Sequence, residues 1–298
     1  FKQKTAYEIR LSLVGSEMCI RDRSWGRAAL APGFLLCLAP QPSLPKPKYI
    51  TAFAEAFHLD EYTANQRLLS AFPRVMKRFE TAEKVAHWVD WLATIRIAAF
   101  NASEAVIGVQ TFAGCDAVYA TEEFLTGEDS AKGRLEAPWG DVVCLVLGEV
   151  RERHVTEIQQ RQMKTDLTVD RHAHAHTTEV ILDLHLRGAQ PTLRFSDATF
   201  RFNQIMPDVE GPSAMRLRKL ASRLLKRCAN VPLMDSFDAA AGALGSTSDI
   251  LHSSSWLKRN YLGAGGHVRA VSGTTRLESN RRAFDLFSTL CRLQRIKP

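Results

Sequence analysis

The chain has 298 residues, of which 45% are hydrophobic, and it carries a formal net charge of +7 and six cysteines. This length is enough for one large domain or two ordinary ones, and the apolar fraction is enough for packed cores. Residues 24–244 contain 25 Lys/Arg and 26 Asp/Glu, whereas residues 245–298 contain nine and three. A body without excess positive charge gives no strong signal for nucleic-acid binding.

The cysteines are scattered along the chain, and no two of them form a C-x-x-C pair. A zinc ribbon or a redox motif needs two thiols a few residues apart, so the sequence supports neither. Buried, reduced thiols are the preferred interpretation. They predict a cytoplasmic protein.

The first residues are set apart from the rest of the chain. Residues 12–23 read S-L-V-G-S-E-M-C-I-R-D-R and resemble a translated sequencing-adapter read-through, so we expect residues 1–23 to be a disordered artefact. The apolar run at residues 28–40 is then either part of a signal peptide, which would export the protein, or a buried strand at residues 33–39. The strand is preferred, because prolines interrupt and bound the run and because it is too short to cross a bilayer.

Residues 33–102 alternate between strand and helix patterns. After the first strand, Ile50, Phe53 and Phe57 have helical spacing, and Asp60 is placed to cap a second helix. The strand F-P-R-V-M-K-R-F, a helix capped by Thr81 and the closing strand I-R-I-A-A-F follow. The predicted order is strand, helix, helix, strand, helix, strand (βααβαβ).

The family pattern of an apolar helix, a proline, a strand with a lysine and a capped helix matches Leu68-Leu69, Pro73, Lys77 and Thr81. With this order of elements, residues 33–102 resemble the C-terminal α/β domain of the bacterial ribosomal stalk protein. The resemblance implies a bacterial protein with a small α/β module at residues 24–103. Modules of this shape serve recognition more often than catalysis. The chain has His58-Leu59-Asp60-Glu61 where that family has a Gly-rich turn and a lysine. Since those residues help to form the family's translation-factor-binding face, that function is not carried over.

Residues 104–244 show short period-two patterns separated by turn signals. The candidate strands are V-I-G-V-Q-T-F, D-A-V-Y-A, K-G-R-L-E-A and V-V-C-L-V-L-G-E-V. The last of them begins a long polar hairpin at about residues 142–187. In its second strand, Val180, Leu182, Leu184 and Leu186 face one side, and Ile181, Asp183 and His185 face the other. One more strand or pair is expected at P-T-L-R-F-S-D-A-T-F-R-F.

Residues 212–228 have the spacing of an amphipathic helix with a basic outer face. Several antiparallel strands followed by one such helix resemble, in outline, a pleckstrin-homology-like module at residues 104–230. The predicted fold class is therefore α+β: a small α/β (βααβαβ) module, then an antiparallel β-rich, pleckstrin-homology-like module with a C-terminal amphipathic helix. The basic face could touch acidic lipids or RNA, but a solvated face is the preferred interpretation.

Residues 245–298 open with G-S-T-S-D-I-L-H-S-S-S-W, which predicts a Ser-rich linker. The run L-G-A-G-G-H-V-R lacks the spacing of a phosphate-binding loop. Residues 278–295 predict an amphipathic helix that packs on the body or docks on a partner, and packing on the body is preferred. The basic excess at residues 258–297 allows weak contact with acidic surfaces.

The stretch R-H-A-H-A-H at residues 171–176 is the sharpest candidate site. On a strand, His172, His174 and His176 would lie on one face, with neighbours about 7 Å apart and the outer two roughly 13 Å apart. A zinc or copper ion, with bonds near 2 Å, would therefore need a ligand from elsewhere, such as His154 across the hairpin. The preferred alternative is an exposed polar strand without metal.

No G-x-S-x-G, H-E-x-x-H or P-loop motif occurs, so we predict no catalytic or cofactor-binding residue and no enzyme. The expected function is that of a non-enzymatic intracellular protein that acts as a protein-interaction or regulatory module with a protein partner. Two alternatives stay open. One is metal binding by the histidine strand, and the other is weak binding of anionic lipid or RNA by the basic tail.

Overall fold

A computed structural model describes residues 32–296, except for residues 42, 130–132, 163–167, 189, 229, 242–248 and 263–266. For the strand residues within 157–175 and 249–273 it describes the backbone alone. The fold is α+β, as the sequence patterns predict.

The first module follows the predicted βααβαβ order. Its elements are β1 (Phe34–Leu38), α1 (Pro47–Phe57), α2 (Glu61–Leu68), β2 (Arg74–Phe79), α3 (Ala82–Thr94) and β3 (Ala99–Ser103). The sheet order is β2-β1-β3, and β1 is antiparallel to both neighbours. The predicted caps are confirmed: Asp60 accepts a hydrogen bond from the Thr63 amide at 2.8 Å, and Thr81 accepts one from the Lys84 amide at 3.4 Å.

Strand β1 is buried on both faces. Leu36 and Leu38 pack into the core beneath the helices α1, α2 and α3. Leu35 and Cys37, which point to the other face, pack against Leu290 near the end of the chain. This double burial explains why F-L-L-C-L is a continuous apolar run rather than an alternating one.

The remaining elements form the second module. They are α4 (Glu104–Gly108), β4 (Phe112–Cys115), β5 (Ala117–Ala120), β6 (Phe124–Asp129), β7 (Gly133–Pro138), β8 (Val142–Gln162), β9 (Thr168–Leu186), β10 (Thr192–Ser196), α5 (Phe202–Ile205), α6 (Ser213–Leu225), β11 (Leu233–Met234), α7 (Phe237–Ala241), β12 (Asp249–Leu262), β13 (His267–Ser279) and α8 (Arg281–Arg295). A three-stranded sheet has the order β5-β6-β7. A seven-stranded sheet has the order β12-β13-β8-β9-β10-β4, with β11 beside β8. The pairs β4–β10 and β8–β11 are parallel, a detail that the antiparallel expectation did not include.

Two element predictions are wrong. The segment V-I-G-V-Q-T-F is not a strand, because its first half belongs to α4. The Glu104 side chain holds the start of this helix, accepting a hydrogen bond from the Gly33 amide at 2.6 Å and pairing with Arg78 at 2.8 Å. From Asp249 onwards the Ser-rich segment is not a linker but strand β12, because the β13 backbone pairs with it. Residues 245–248 of the segment lie outside the described residues.

The predicted alternation of β9 is confirmed on both faces. Val180, Leu182, Leu184 and Leu186 share one core with the buried face of α6, formed by Leu217, Leu220, Ala221 and Leu224. Ile181 packs on the opposite face, with Phe284 and Phe287 of α8. Two helices therefore cover the two faces of the same sheet, and the sheet needs a continuous set of apolar residues on each side.

Helix α8 lies between the two modules. Phe284, Phe287 and Cys291 pack against the seven-stranded sheet. Leu290 packs against Leu35 in the three-stranded sheet of the first module. The preferred prediction, that the last helix packs on the body, is confirmed. Among the residues that the structure describes, no helix has the length and apolar character needed to span a membrane.

Candidate functional site

The histidine segment lies in β9, opposite the middle of β8. Arg153 pairs with His176, and the next residue, His154, pairs with Ala175. Directly opposed residues of an antiparallel pair share a face, and successive residues alternate. His154 and His176, which are both exposed, therefore lie on opposite faces of the sheet. The prediction that His154 supplies an additional ligand beside His176 is wrong, because the hairpin register separates them.

The side chains of His172 and His174 lie outside the described residues, so their part in a metal site stays a prediction. Within the described part of the chain, no group of three or more His, Cys, Asp or Glu residues is placed to hold a metal ion.

A buried, extensively hydrogen-bonded polar cluster lies where β9 and β10 meet α8. Asp183, His185, Thr192 and Ser288 have no exposed surface at all. Asp183 and His185 reach this position because alternate residues of β9 point towards α8, away from the α6 core. Arg194 of β10 stands directly opposite Asp183 in the strand register, so the two side chains share a face.

Arg194 and Asp183 form a buried bidentate ion pair. The Nε and Nη2 atoms of Arg194 each donate to one carboxylate oxygen of Asp183 at 2.7 Å. Nη2 of Arg194 also lies 2.8 Å from Oδ1 of Asp285 on α8, and the guanidinium lies 3.7 Å from the centre of the Phe112 ring. Burial opposes the charge of Arg194, but hydrogen bonds and attraction from the two carboxylates outweigh it and raise its pKa. The guanidinium is therefore a permanent positive charge inside the fold.

His185 is held between two hydroxyl groups. Its Nε2 lies 2.8 Å from Oγ of Ser288, and its Nδ1 lies 2.8 Å from Oγ1 of Thr192. Ser288 donates its proton to Oδ2 of Asp183 at 2.6 Å, so Oγ of Ser288 accepts from His185 Nε2–H. The ring is then neutral and its Nδ1 accepts from Thr192. Burial is the main cause that lowers the pKa of His185 to about 4, with Arg292 and Arg194 acting in the same direction.

The chain of hydrogen bonds continues to the end of α8. Nε2 of Gln110 donates to Oγ1 of Thr192 at 3.0 Å. Arg292 donates to Oε1 of Gln110 and to the carbonyl oxygen of Gly188. A continuous network thus runs from the guanidinium of Arg292 to the carboxylate of Asp183, and it fastens α8 to the strands on which it packs.

The residue types Ser288, His185 and Asp183 are those of a nucleophilic triad, but their arrangement is different. In a triad the acid accepts a hydrogen bond from the histidine and the serine faces substrate. Here Asp183 accepts from Ser288, and Nδ1 of His185 faces Thr192. All these groups are fully buried, so no substrate reaches Ser288 in this conformation. The arrangement can position a helix, but it cannot deliver a nucleophile.

Sequence reasoning placed Asp183 and His185 on the correct face of β9 but did not find this cluster. The signal was present as two polar residues at alternate positions of the otherwise apolar stretch 180–186 of β9. Their shared partner Ser288 is more than 100 residues away, so only the folded chain identifies it.

A solvent-open depression of about 280 Å³ lies at the junction of β2 and α3, lined by Arg78, Phe79, Glu80 and Lys84. Arg78 pairs with Glu104, and the ammonium group of Lys84 lies 3.8 Å from a carboxylate oxygen of Glu80. The charges that line the depression are therefore largely matched within the protein.

The second candidate surface, which we call the arm, is an extension of the seven-stranded sheet. It consists of residues 152–162 of β8 and 168–178 of β9, together with β12 and β13. The next strand, β10, pairs with β9 only at residues 181–184. The arm therefore continues beyond the strands that the helices cover.

Near the base of the arm, side chains on both faces are in contact with solvent. Consecutive residues of β9, His176, Thr177 and Thr178, are all exposed, as are Arg153 and His154 of β8. Successive residues of a strand point to opposite faces, so neither face is covered at this level. One exception is Val155, which is 3% exposed. These five residues thus contribute surface rather than core.

The basic C-terminal segment is not a free tail. Arg281 of α8 pairs with Glu179, and Arg292 is only 8% exposed. The fold itself uses the charges of these two residues, whereas Arg282 and Arg295 are exposed. The prediction that residues 258–297 touch acidic surfaces stays a prediction. The side chains of residues 258–273 lie outside the described part, and their contribution stays a prediction.

No protein-family model, no curated protein and no solved structure matches this chain. The resemblances to the stalk-protein domain and to a pleckstrin-homology-like module stay predictions.

Proposed function

We propose that the chain is a protein-binding module and that the arm binds the partner through its outer strand, β12. The observation that supports this proposal is the pairing of β12: it runs for 14 residues and, among the described strands, pairs with β13 alone. Its other edge carries a row of backbone N–H and C=O groups that no described strand pairs with.

An open edge of this length is a template for an added strand. The strand spans roughly 45 Å, and about seven of its residues direct their backbone groups outwards. Peptides bind to such edges by main-chain hydrogen bonds, while pockets for alternate side chains give specificity. An extended segment of a partner protein would meet this requirement.

The edge supports this proposal better than the faces of the arm do. The exposed described residues at the base of the arm are polar or charged on both faces, so they offer little apolar area for a partner to cover. Backbone pairing does not need an apolar face, because its directional bonds come from the peptide groups. A polar arm with an open edge can therefore bind a partner by backbone pairing along β12.

Proline substitution at two neighbouring serines tests the proposal. Ser254 and Ser255 pair with Thr275 and Thr274, and successive residues of an antiparallel strand direct their N–H groups alternately inwards and outwards. Of the variants Ser254→Pro and Ser255→Pro, one therefore removes an outward N–H and leaves the β12–β13 ladder intact. The other breaks the ladder and serves as the matched control.

Thermal unfolding measures whether each variant is folded. Cross-linking of the tagged protein in native cells measures whether it captures the partner. We expect the outward variant to unfold like the wild type but to lose the partner that the wild type captures. If the folded variant captures the same partner equally well, the edge is not the binding surface. If the wild type captures none, or if both variants lose the hairpin, the proposal is wrong.

A further inference from the structure

The outer face of the sheet β5-β6-β7 carries exposed aromatic side chains. Phe124 of β6 stands opposite Pro138 of β7, and Tyr119 of β5 stands opposite Thr126, two residues after Phe124. Opposed residues of an antiparallel pair share a face, and so do alternate residues of one strand. Tyr119, Phe124 and Pro138 are therefore neighbours on this face, which we call the aromatic face. Tyr119 and Phe124 are 42% and 41% exposed, and Pro138 is exposed as well.

The opposite face of the same sheet is buried. Val118, Leu125 and Ala137 belong to the core that β9 and α6 share. On the outer side, the guanidinium of Arg134 lies 5.7 Å from the centre of the Tyr119 ring and also pairs with a carboxylate of β6. A packed sheet thus holds the aromatic face in position while its rings meet solvent.

Acidic side chains surround the aromatic face. Glu122 and Glu123 lie in the turn that joins β5 to β6, and Glu136 lies on the aromatic face of β7. All three are exposed. Arg227 offsets one of these charges, because it donates to the carbonyl oxygen of Thr121 in the same turn. The surface therefore fits a ligand that combines apolar groups with positive charge.

The chain itself contains a segment of this kind. Residues 42–48 read P-S-L-P-K-P-K, which includes a P-x-x-P motif and two lysines. A residue that precedes a proline is driven to extended backbone, and Lys46 has φ −58° and ψ 147°, close to a polyproline II helix. Leu44 is 44% exposed, and both Lys46 and Lys48 are exposed. The segment presents an apolar side chain and two cations to solvent.

We propose that residues 43–48 of one copy of this chain bind to the aromatic face of a second copy. Leu44 and Pro45 pack on the rings of Tyr119 and Phe124, and the lysines lie beside the glutamates. Proline-rich segments dock on aromatic surfaces in this way, and they lose little conformational entropy because the bound backbone is already formed.

The segment and the aromatic face are both exposed within one chain, so neither covers the other there. Every copy carries both surfaces, and two copies can therefore exchange the contact reciprocally, as in an isologous dimer. The aromatic face belongs to the sheet β5-β6-β7 and not to the arm. This proposal is therefore independent of partner binding through β12.

Sedimentation velocity of the full-length protein over a range of concentrations tests the proposal. The wild type should dimerise reversibly, with the weak affinity that is typical of a small interface. Leu44→Ser alters the segment and Phe124→Ser alters the aromatic face, and each should weaken dimerisation at least tenfold. Tyr62→Ser is the matched control, since Tyr62 is a 74% exposed ring on α2, and it should dimerise like the wild type.

An equimolar mixture of the two altered chains tests whether the segment and the aromatic face meet each other. The Leu44→Ser chain keeps its aromatic face and the Phe124→Ser chain keeps its segment, so one of the two contacts can form between them. The mixture should associate more strongly than either variant alone. Thermal unfolding checks that both variants are folded, and Glu136→Lys replaces Phe124→Ser if the latter lowers Tm.

Three results would overturn the proposal. The first is a wild type that stays monomeric at every concentration. The second is a dimer that both variants retain, which would place the interface elsewhere. The third is a mixture that associates no better than its components, which would show that the segment does not bind the aromatic face.

Discussion

Ser288 of α8 donates a hydrogen bond of 2.6 Å to Asp183 of β9, across a separation of 105 residues. The same oxygen atom receives the Nε2–H of His185 at 2.8 Å. One hydroxyl group thus joins a neutral imidazole to a carboxylate that is already paired with Arg194. These hydrogen bonds of Ser288 help to hold the last helix in its place between the two sheets.

Replacing Ser288 with alanine should lower the free energy of unfolding by about 1–3 kcal/mol, because the substitution leaves the buried N–H of His185 without an acceptor. Urea denaturation monitored by circular dichroism measures the change. Ser222→Ala is the matched control, since Ser222 is an exposed helical serine that donates to the Arg218 carbonyl of its own helix. Equal losses of unfolding free energy in the two variants would contradict a stabilising role of the Ser288 hydrogen bonds.

Stability should fall as the pH drops below the ordinary pKa of histidine. Burial is the main cause that holds the pKa of His185 at about 4, whereas its value in the unfolded chain is near 6.5. The unfolded state therefore binds this proton first. The stabilisation that His185 provides is complete above pH 6.5 and is lost as the pH falls through about 4.

Between about pH 7.5 and about pH 4.5, His185 should account for a loss of about 2–3 kcal/mol. The variant His185→Gln lacks this titration, so its unfolding free energy should fall less over the same interval. His87→Gln, at an exposed position, should keep the wild-type dependence. Parallel curves for the wild type and His185→Gln would show that His185 does not titrate in this way.

Asp183→Asn should be among the most damaging single substitutions, with a loss of about 3–5 kcal/mol, because it leaves the charge of Arg194 without its bidentate partner. Asp208→Asn provides the comparison, since Asp208 pairs with Arg223 at the surface. Solvent screens that pair, and its loss should have little effect on unfolding. Guanidinium denaturation measures the unfolding free energy of both variants. Equal losses would contradict the larger contribution of the buried ion pair.

Gly148→Ala should destabilise the protein because β8 passes close to two aromatic rings. A Cβ at this position would lie 2.5 Å from an atom of Phe284 and 2.9 Å from an atom of Phe237. We expect a cost of about 1–3 kcal/mol, typical of overpacking. Gly114→Ala, in strand β4, is the control because a Cβ there would have no described atom within 4 Å beyond its chain neighbours. A Tm for Gly148→Ala equal to that of the control would contradict the close packing.

The sequence by itself determined the elements whose signal is local. Asp60 and Thr81 cap helices because their side-chain oxygens meet amides only three residues ahead. The alternating pattern from Val180 to Leu186 determined which residues of β9 face α6, since the two faces of a strand have a period of two residues. The βααβαβ order of the first module followed from such signals alone.

The tertiary structure decided everything that depends on a distant partner. Pairing with β13 made residues 249–256 of the Ser-rich segment a strand, and the hairpin register put His154 and His176 on opposite faces. The polar cluster needs Ser288 beside His185, which local periodicity does not encode. Local patterns fix the direction in which a side chain points, but only the folded chain supplies the atoms that it meets there.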